Sequence, residues 1–164
     1  MIKEARFYNQ TLGRYLTFNE LVEEIYNYMS LAPQAHYKIT VGSDSMGSND
    51  TQFVTAVSVL KIGNGGRYFW TKSNVEHCST LRDRIYKEAV RSITFVQELK
   101  SQLKDKLGED FFWNGQIDVH VDVGNAGKTK EFVESVVGMV KGYGFNAIIK
   151  PNSFTASILA DRHT

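Results

Sequence analysis

The sequence predicts an α/β domain built on a mixed sheet, and two observations carry that prediction. Three strand-like segments between residues 37 and 75 are joined by short connections, the signature of antiparallel neighbours. From Thr80 onward the apolar period changes and helices alternate with strands, as right-handed parallel crossovers require. The expected result is a five-stranded sheet with helices on both faces.

Each element has a local reason. Thr17 and Glu20 have the spacing of a capping box, and Leu21, Ile25 and Met29 follow at four-residue steps, so a helix opens at Thr17. It stops before Pro33, because the residue preceding a proline is pushed out of the helical region. Residues 1–32 are read as an N-terminal helical extension packed on a main domain over residues 33–164. Tyr37 to Asp44 alternates, with Tyr37, Ile39 and Val41 on one face, and the cluster Ser45-Met-Gly-Ser-Asn-Asp50 turns the chain. Phe53 to Ile62 is a second strand. Gly63-Asn-Gly-Gly66 is a hairpin signal, and the aromatic run from Arg67 to Thr71 is the third strand, continuing towards Val75.

The second half changes rhythm. Leu81, Ile85, Ala89, Ser92, Val96 and Leu99 form one helical stripe from Thr80 to about Lys106. Ile117 to Val123 alternates strictly and predicts a strand. A helix follows from Lys128 to Lys141, ended by Gly142-Tyr-Gly144, and then a short strand from Phe145 to Lys150 halted by Pro151. Ser153 to Arg162 has helical spacing through Phe154, Ser157, Ile158 and Asp161.

Composition excludes several classes. With 164 residues, 42% hydrophobic and 23% charged, the chain is an ordinary globular domain. Nineteen Lys and Arg against 18 Asp and Glu leave a net charge of +1, which argues against a polybasic nucleic-acid arm but not against a local basic groove. The single Cys78 rules out a disulfide framework within the chain and a multi-cysteine zinc site. Met1-Ile-Lys-Glu-Ala-Arg6 has no signal-peptide character and no apolar run approaches the roughly 20 residues of a membrane span, so a cytoplasmic protein with no membrane partner is expected.

Four acids stand where a bland fold would not place them. Asp44 closes the first strand of the meander; alone, it reads as a turn-initiating residue. Glu88 falls within about 20° of Leu81 on a helical wheel, in the middle of the apolar stripe. An unpaired carboxylate buried there costs several kcal/mol or is protonated; the bland alternative is a Glu at the sheet edge that reaches water or a cation. Asp161 lies on the apolar face of the last helix, although fraying near the chain end explains that equally well. Asp118 and Asp122 share a strand face but are separated by roughly 13 Å, so they cannot serve one two-ion centre. Asp122 is preferred, because open α/β sheets bind ligands at the carboxyl ends of their strands. Asp118 reads as solvated or structural. If Asp44, Glu88, Asp122 and Asp161 meet, pairs at 4 Å repel by about 4 kcal/mol at an effective dielectric near 20. Hard divalent ions such as Mg²⁺ or Mn²⁺ relieve that repulsion and suit all-oxygen donors. A pair of such ions is the equipment of phosphodiester hydrolysis.

The segments Val41-Gly-Ser-Asp-Ser45, His120-Val-Asp-Val-Gly124, Val137-Gly-Met-Val-Lys-Gly142, Ile149-Lys-Pro-Asn-Ser153 and Ala160-Asp-Arg-His-Thr164 resemble the ribonuclease-H-like YkuK family, over roughly residues 10–164. The resemblance implies a ribonuclease H-like sheet and, by position, Asp44, Glu88, Asp122 and Asp161 as ligands of two divalent ions in a nuclease. It implies nucleic acid as the partner, whether RNA, RNA/DNA hybrid or branched DNA. Proofreading exonucleases of that superfamily carry Asp-x-Glu on the first strand; here the run is Asp44-Ser45-Met46, which favours a ribonuclease H or junction-resolvase type. His163 is a candidate for proton transfer, with a terminal surface histidine as the plain alternative. Ser45, Lys128 and Arg162 are candidate substrate contacts.

Other signals compete. Gly124-Asn-Ala-Gly-Lys-Thr129 looks like the end of a phosphate-binding loop, but Asp122 stands where the motif demands its first glycine. Lys128 is still placed to meet a phosphate at a helix N-terminus. Glu76, His77 and Cys78 with His36, His120 and His163 match no usual zinc spacing. Tyr68, Phe69 and Trp70 are candidates for stacking on bases, although strand alternation buries at least half of them. The competing function is a non-catalytic nucleic-acid- or protein-binding module that retains the fold.

Overall fold

A computed structural model describes residues 4–46, 49–63, 65–108 and 117–153. Its strands are β1 (Phe7–Asn9), β2 (Arg14–Leu16), β3 (Tyr37–Ser45), β4 (Asp50–Thr51), β5 (Phe53–Lys61), β6 (Gly66–Lys72), β7 (Glu76–His77), β8 (Ile117–His120) and β9 (Asn146–Ile148). The α-helices are α1 (Phe18–Ser30), α2 (Leu81–Leu107) and α3 (Val133–Gly142).

The meander forms as predicted. β3 and β5 pair antiparallel with Val41 opposite Val57, and β5 pairs with β6 with Val57 opposite Phe69. At the hairpin between them, Gly63 and Gly65 take positive φ angles of 84° and 83°, open to glycine without a Cβ penalty. β8 then runs parallel to β3 and β9 parallel to β8, which makes the sheet mixed. β4 and β7 form a separate two-stranded ladder beside it.

Among the described residues the sheet has seven strands, in the order β2-β1-β6-β5-β3-β8-β9, where the sequence predicts five. The two additional strands come from the N-terminal segment, for which the sequence predicts a helical extension. Phe7, Tyr8 and Asn9 face Leu16, Tyr15 and Arg14, and Tyr8 pairs with Trp70 on β6. Three-residue strands are too short to show a periodicity, so only α1 was visible in that part of the sequence. The predicted boundary between residues 32 and 33 therefore divides one sheet and one core. Phe7 is 1% exposed, with its ring centroid 5.3 Å from that of Phe95 on α2 and 6.3 Å from that of Phe18 on α1. Phe7→Ala is expected to cost about 3–5 kcal/mol in urea unfolding, as emptying a packed aromatic site does; a peripheral extension would lose far less.

The helices follow their caps. The Thr17 side chain accepts from the Glu20 amide at 3.2 Å while Glu20 accepts from the Thr17 amide at 3.0 Å, and α1 ends at Leu31, before Pro33. The Thr80 hydroxyl accepts from the Asp83 amide at 3.0 Å to open α2, which ends at Gly108. The third helix begins later than expected: Lys130–Phe132 is a 3-10 turn, and α3 starts at Val133. Buried residues of all three helices share one apolar core with Ile39, Val41, Val57, Val119 and Phe69. The helix expected over Ser153–Arg162 lies outside the described residues apart from Ser153.

Candidate metal centre

Three chain segments far apart in sequence deliver three acids to the carboxyl ends of β3 and β8. Asp44 is the penultimate residue of β3, Glu88 lies two turns into α2, and Asp122 follows β8 by two residues. One carboxylate oxygen from each lies within 4.8 Å of those from the other two. Unit charges at that spacing repel by about 3–4 kcal/mol per pair at an effective dielectric near 20.

The surroundings decide which acid bears the strain. Glu88 is half-buried as a residue with its carboxyl end enclosed, and burial pushes its pKa up to about 8. The neighbouring charges of Asp44 and Asp122 push in the same direction, while the hydrogen bond from Ser45 and the charge of Arg84 oppose them. Without a cation Glu88 is therefore mostly protonated at neutral pH. The Ser45 hydroxyl donates to Glu88 Oε2 at 3.0 Å, and the Ser45 amide donates to Asp44 Oδ1 at 2.9 Å. One serine thus ties two acids together. Lys150 Nζ stands 2.9 Å from Asp122 Oδ1.

Behind the acids is a cavity of about 10 Å³, lined by Ser43, Ser92, His120, Glu88 and Asp122 among others, with about the room one water needs. Ser92 donates to Ser43 at 2.8 Å, and Ser43 shares a 2.9 Å bond with Thr55. His120 is 3% exposed; burial holds its imidazole below the ordinary range, with Asp118 partly opposing.

The remaining predicted residues fall into place or outside it. Asp118 is structural, not solvated: it is 8% exposed, pairs with Lys38 at 3.2 Å and accepts from Asn146 at 3.2 Å. Lys128 is exposed in the loop before the 3-10 turn. In that loop the Gly124 amide donates to Thr129 Oγ1 at 3.1 Å, so an amide that a phosphate loop would offer its ligand is already used. Cys78 is buried, and His77 bonds Asp50 at 3.0 Å, so neither belongs to a cluster with His120. The acid triad is the one candidate metal cluster among the described residues. Phe69 is in the core and Tyr68 faces solvent, as alternation requires. Asp161, Arg162 and His163 lie outside the described residues. Lys150 was not singled out, since a lone lysine before a proline carries no signal of its partner.

The donor set fits hard divalent cations. Asp44, Glu88 and Asp122 offer only carboxylate oxygens, which suit Mg²⁺ or Mn²⁺ and not the softer metals. A cation also favours the ionised form of Glu88, offsetting the burial and the neighbouring charges that keep it protonated.

The ribonuclease H-like family model matches residues 20–164, the span that holds every one of these acids. The chain belongs to the ribonuclease H-like family. It is also 29% identical over 166 residues to the uncharacterized protein YkuK of Bacillus subtilis (strain 168), covering 96% of each chain. No solved structure matches it significantly. The mixed sheet, with antiparallel and parallel strands, is consistent with that assignment. No described helix is long and apolar enough to cross a membrane.

Proposed function

We propose that this protein is a divalent-cation-dependent nuclease acting on phosphodiester bonds of nucleic acid, of the ribonuclease H or junction-resolvase type. The observation that carries the reading is the convergence of Asp44, Glu88 and Asp122, from three separate elements, within 4.8 Å. Hydrolysis adds water across one P–O bond, the hydroxyl going to phosphorus and the proton to the leaving oxygen. Bound Mg²⁺ or Mn²⁺ supplies water activation and charge neutralisation at the phosphate. The protein's own residues do the positioning. Asp44 and Asp122 hold the cations, Ser45 orients Glu88, and the sheet ends keep the carboxylates together without rearrangement. Asp161 as a fourth ligand and His163 as a proton carrier are part of the proposal on the strength of the closing Ala160-Asp-Arg-His-Thr164 run, with Arg162 and Lys128 as phosphate contacts.

A groove of about 530 Å³ gives a substrate strand a path beside the acids. Arg91 lies one turn beyond Glu88 on α2, and Phe53 pairs with Ser45, so the groove is lined by the elements that neighbour the acids, although the acids themselves do not line it. Arg6, Lys72 and Arg91 supply positive charge, offset in part by Glu4 and by Glu76, which pairs with Arg91, and Tyr15 and Trp70 supply aromatic surface. Lys72 is 5.8 Å from the Trp70 ring centroid and Arg91 is 4.7 Å from that of Phe53. Phosphates and unpaired bases are the ligands of such a surface. Arg6→Ala and Lys72→Ala are each expected to lower the slope of log affinity against log salt by about 0.7, measured by fluorescence anisotropy with labelled single strands. Unchanged slopes would send the strand elsewhere.

The deciding assay offers labelled RNA, hybrid, single-stranded and branched DNA with Mg²⁺ or Mn²⁺. Salt-dependent binding without cleavage in either ion would replace the nuclease with a binding module.

A further inference from the structure

The segment Ile149-Lys-Pro-Asn-Ser153 supplies none of the proposed ligands, yet its lysine stands directly against one of the acids. Beyond β8 and β9 the parallel pairing continues through two isolated backbone bonds, Val121 amide to Ile148 carbonyl at 2.9 Å and Lys150 amide to Val123 carbonyl at 2.8 Å. These two bonds bracket Asp122 and align it with Lys150. Gly124 completes the fit: a Cβ at that position would lie 2.9 Å from Lys150 Cβ, closer than real Cβ contacts allow. After Lys150 the chain turns back, with the amides of Asn152 and Ser153 both donating to the Ile149 carbonyl. Lys150 is thus held by its backbone on both sides, and its ammonium reaches Asp122 Oδ1 at 2.9 Å.

We propose that the Lys150 ammonium is a resident cation of this site, so that the acids take up one divalent ion and the lysine fills the second cation position. The inference rests on the cation-dependent reading of the acids and narrows it. A divalent ion seeking the same oxygen of Asp122 would meet a unit positive charge at contact distance, twice the repulsion between two unit charges there. Lysine suits this role because it is a compact point charge on a long stem, and arginine keeps that charge in a broader head. Lys150 is a positioning residue in this scheme: it acts on Asp122 and through it on the number of ions bound.

The test counts ions. Metal-stripped protein is titrated with Mn²⁺ and free Mn²⁺ is read by electron paramagnetic resonance, for the wild type, Lys150→Arg and Lys150→Met. One ion per chain is expected for the wild type and Lys150→Arg, and two for Lys150→Met, which keeps much of the stem and removes the charge. Two ions in the wild type, or one in Lys150→Met, overturns the inference. If Lys150→Met fails to fold, Lys150→Gln is counted in its place, with two ions again expected and one overturning the inference. Cleavage measured alongside separates the two readings: two ions with Mn²⁺-dependent cleavage removes only the role of Lys150, whereas no Mn²⁺ uptake by any form removes the metal site as well.

Discussion

Asp44→Asn and Asp122→Asn are each expected to reduce Mn²⁺-dependent cleavage by about three orders of magnitude. The size follows from the several kcal/mol of charge stabilisation that a bound cation supplies, about 4 kcal/mol corresponding to about 10³ in rate. Both substitutions keep the shape and remove one charge from a cluster whose members lie within 4.8 Å of one another. Asp44→Asn should also make the metal-free protein more stable, because it removes like-charge repulsion, whereas Asp122→Asn gives up its pair with Lys150 as well and gains less. Thermal melts therefore accompany the assay: a higher melting temperature without Mn²⁺ is expected for Asp44→Asn, and a smaller rise on Mn²⁺ addition for both variants. Cleavage at the wild-type rate in either variant would remove these acids from the chemistry. A fall in activity accompanied by a fall in stability would mean damage to the fold.

The second large effect is a pH dependence centred on Glu88. Its carboxyl is raised to about 8 in the folded chain, first by burial and then by Asp44 and Asp122. The unfolded chain releases that proton near the ordinary value of 4.5. Between these two values the folded state holds more protons, so metal-free stability falls as pH rises and levels off above about 8. The buried imidazole of His120 works in the opposite direction below its ordinary value of 6.5, which leaves the window from about 6.5 to 8 to Glu88. Across that window the wild type should lose on the order of 2 kcal/mol, at about 1.4 kcal/mol per pH unit for one proton. Glu88→Gln should show little of this slope, read from urea unfolding midpoints at several pH values. Mn²⁺ reverses the preference, since a cation favours the ionised carboxyl. Its uptake near pH 7 should release about one proton per chain, measurable by calorimetry in buffers of different ionisation enthalpy. A flat stability profile together with no proton release would place Glu88 in water instead of against the other acids.

The sequence was most legible where a signal repeats. The strands of the meander, the capping box at Thr17 and the start of α2 at Thr80 emerge where periodicity and caps place them. Glu88 in an apolar stripe marked an acid that water does not freely reach, and its raised pKa is the same fact expressed as chemistry. What remained hidden was short or long-range. β1 and β2 have three residues each, less than two strand periods, and their place beside β6 depends on partners some sixty residues away. The 3-10 turn at Lys130 shares its apolar residues with the helix that follows, so the junction has no pattern of its own.

By itself the amino-acid order determined the class of the fold, the order of most elements and which acids stand in unusual company, because alternation, helical period and capping act over a few residues. Only the tertiary structure decided that Asp44, Glu88 and Asp122 converge, that Ser45 bonds one acid through its hydroxyl and another through its amide, and that Lys150 faces Asp122. Those contacts join residues up to seventy-eight positions apart, and strand register, not local preference, brings them within reach. A shift of β9 by one residue against β8 would leave every local signal intact and turn Lys150 away from Asp122.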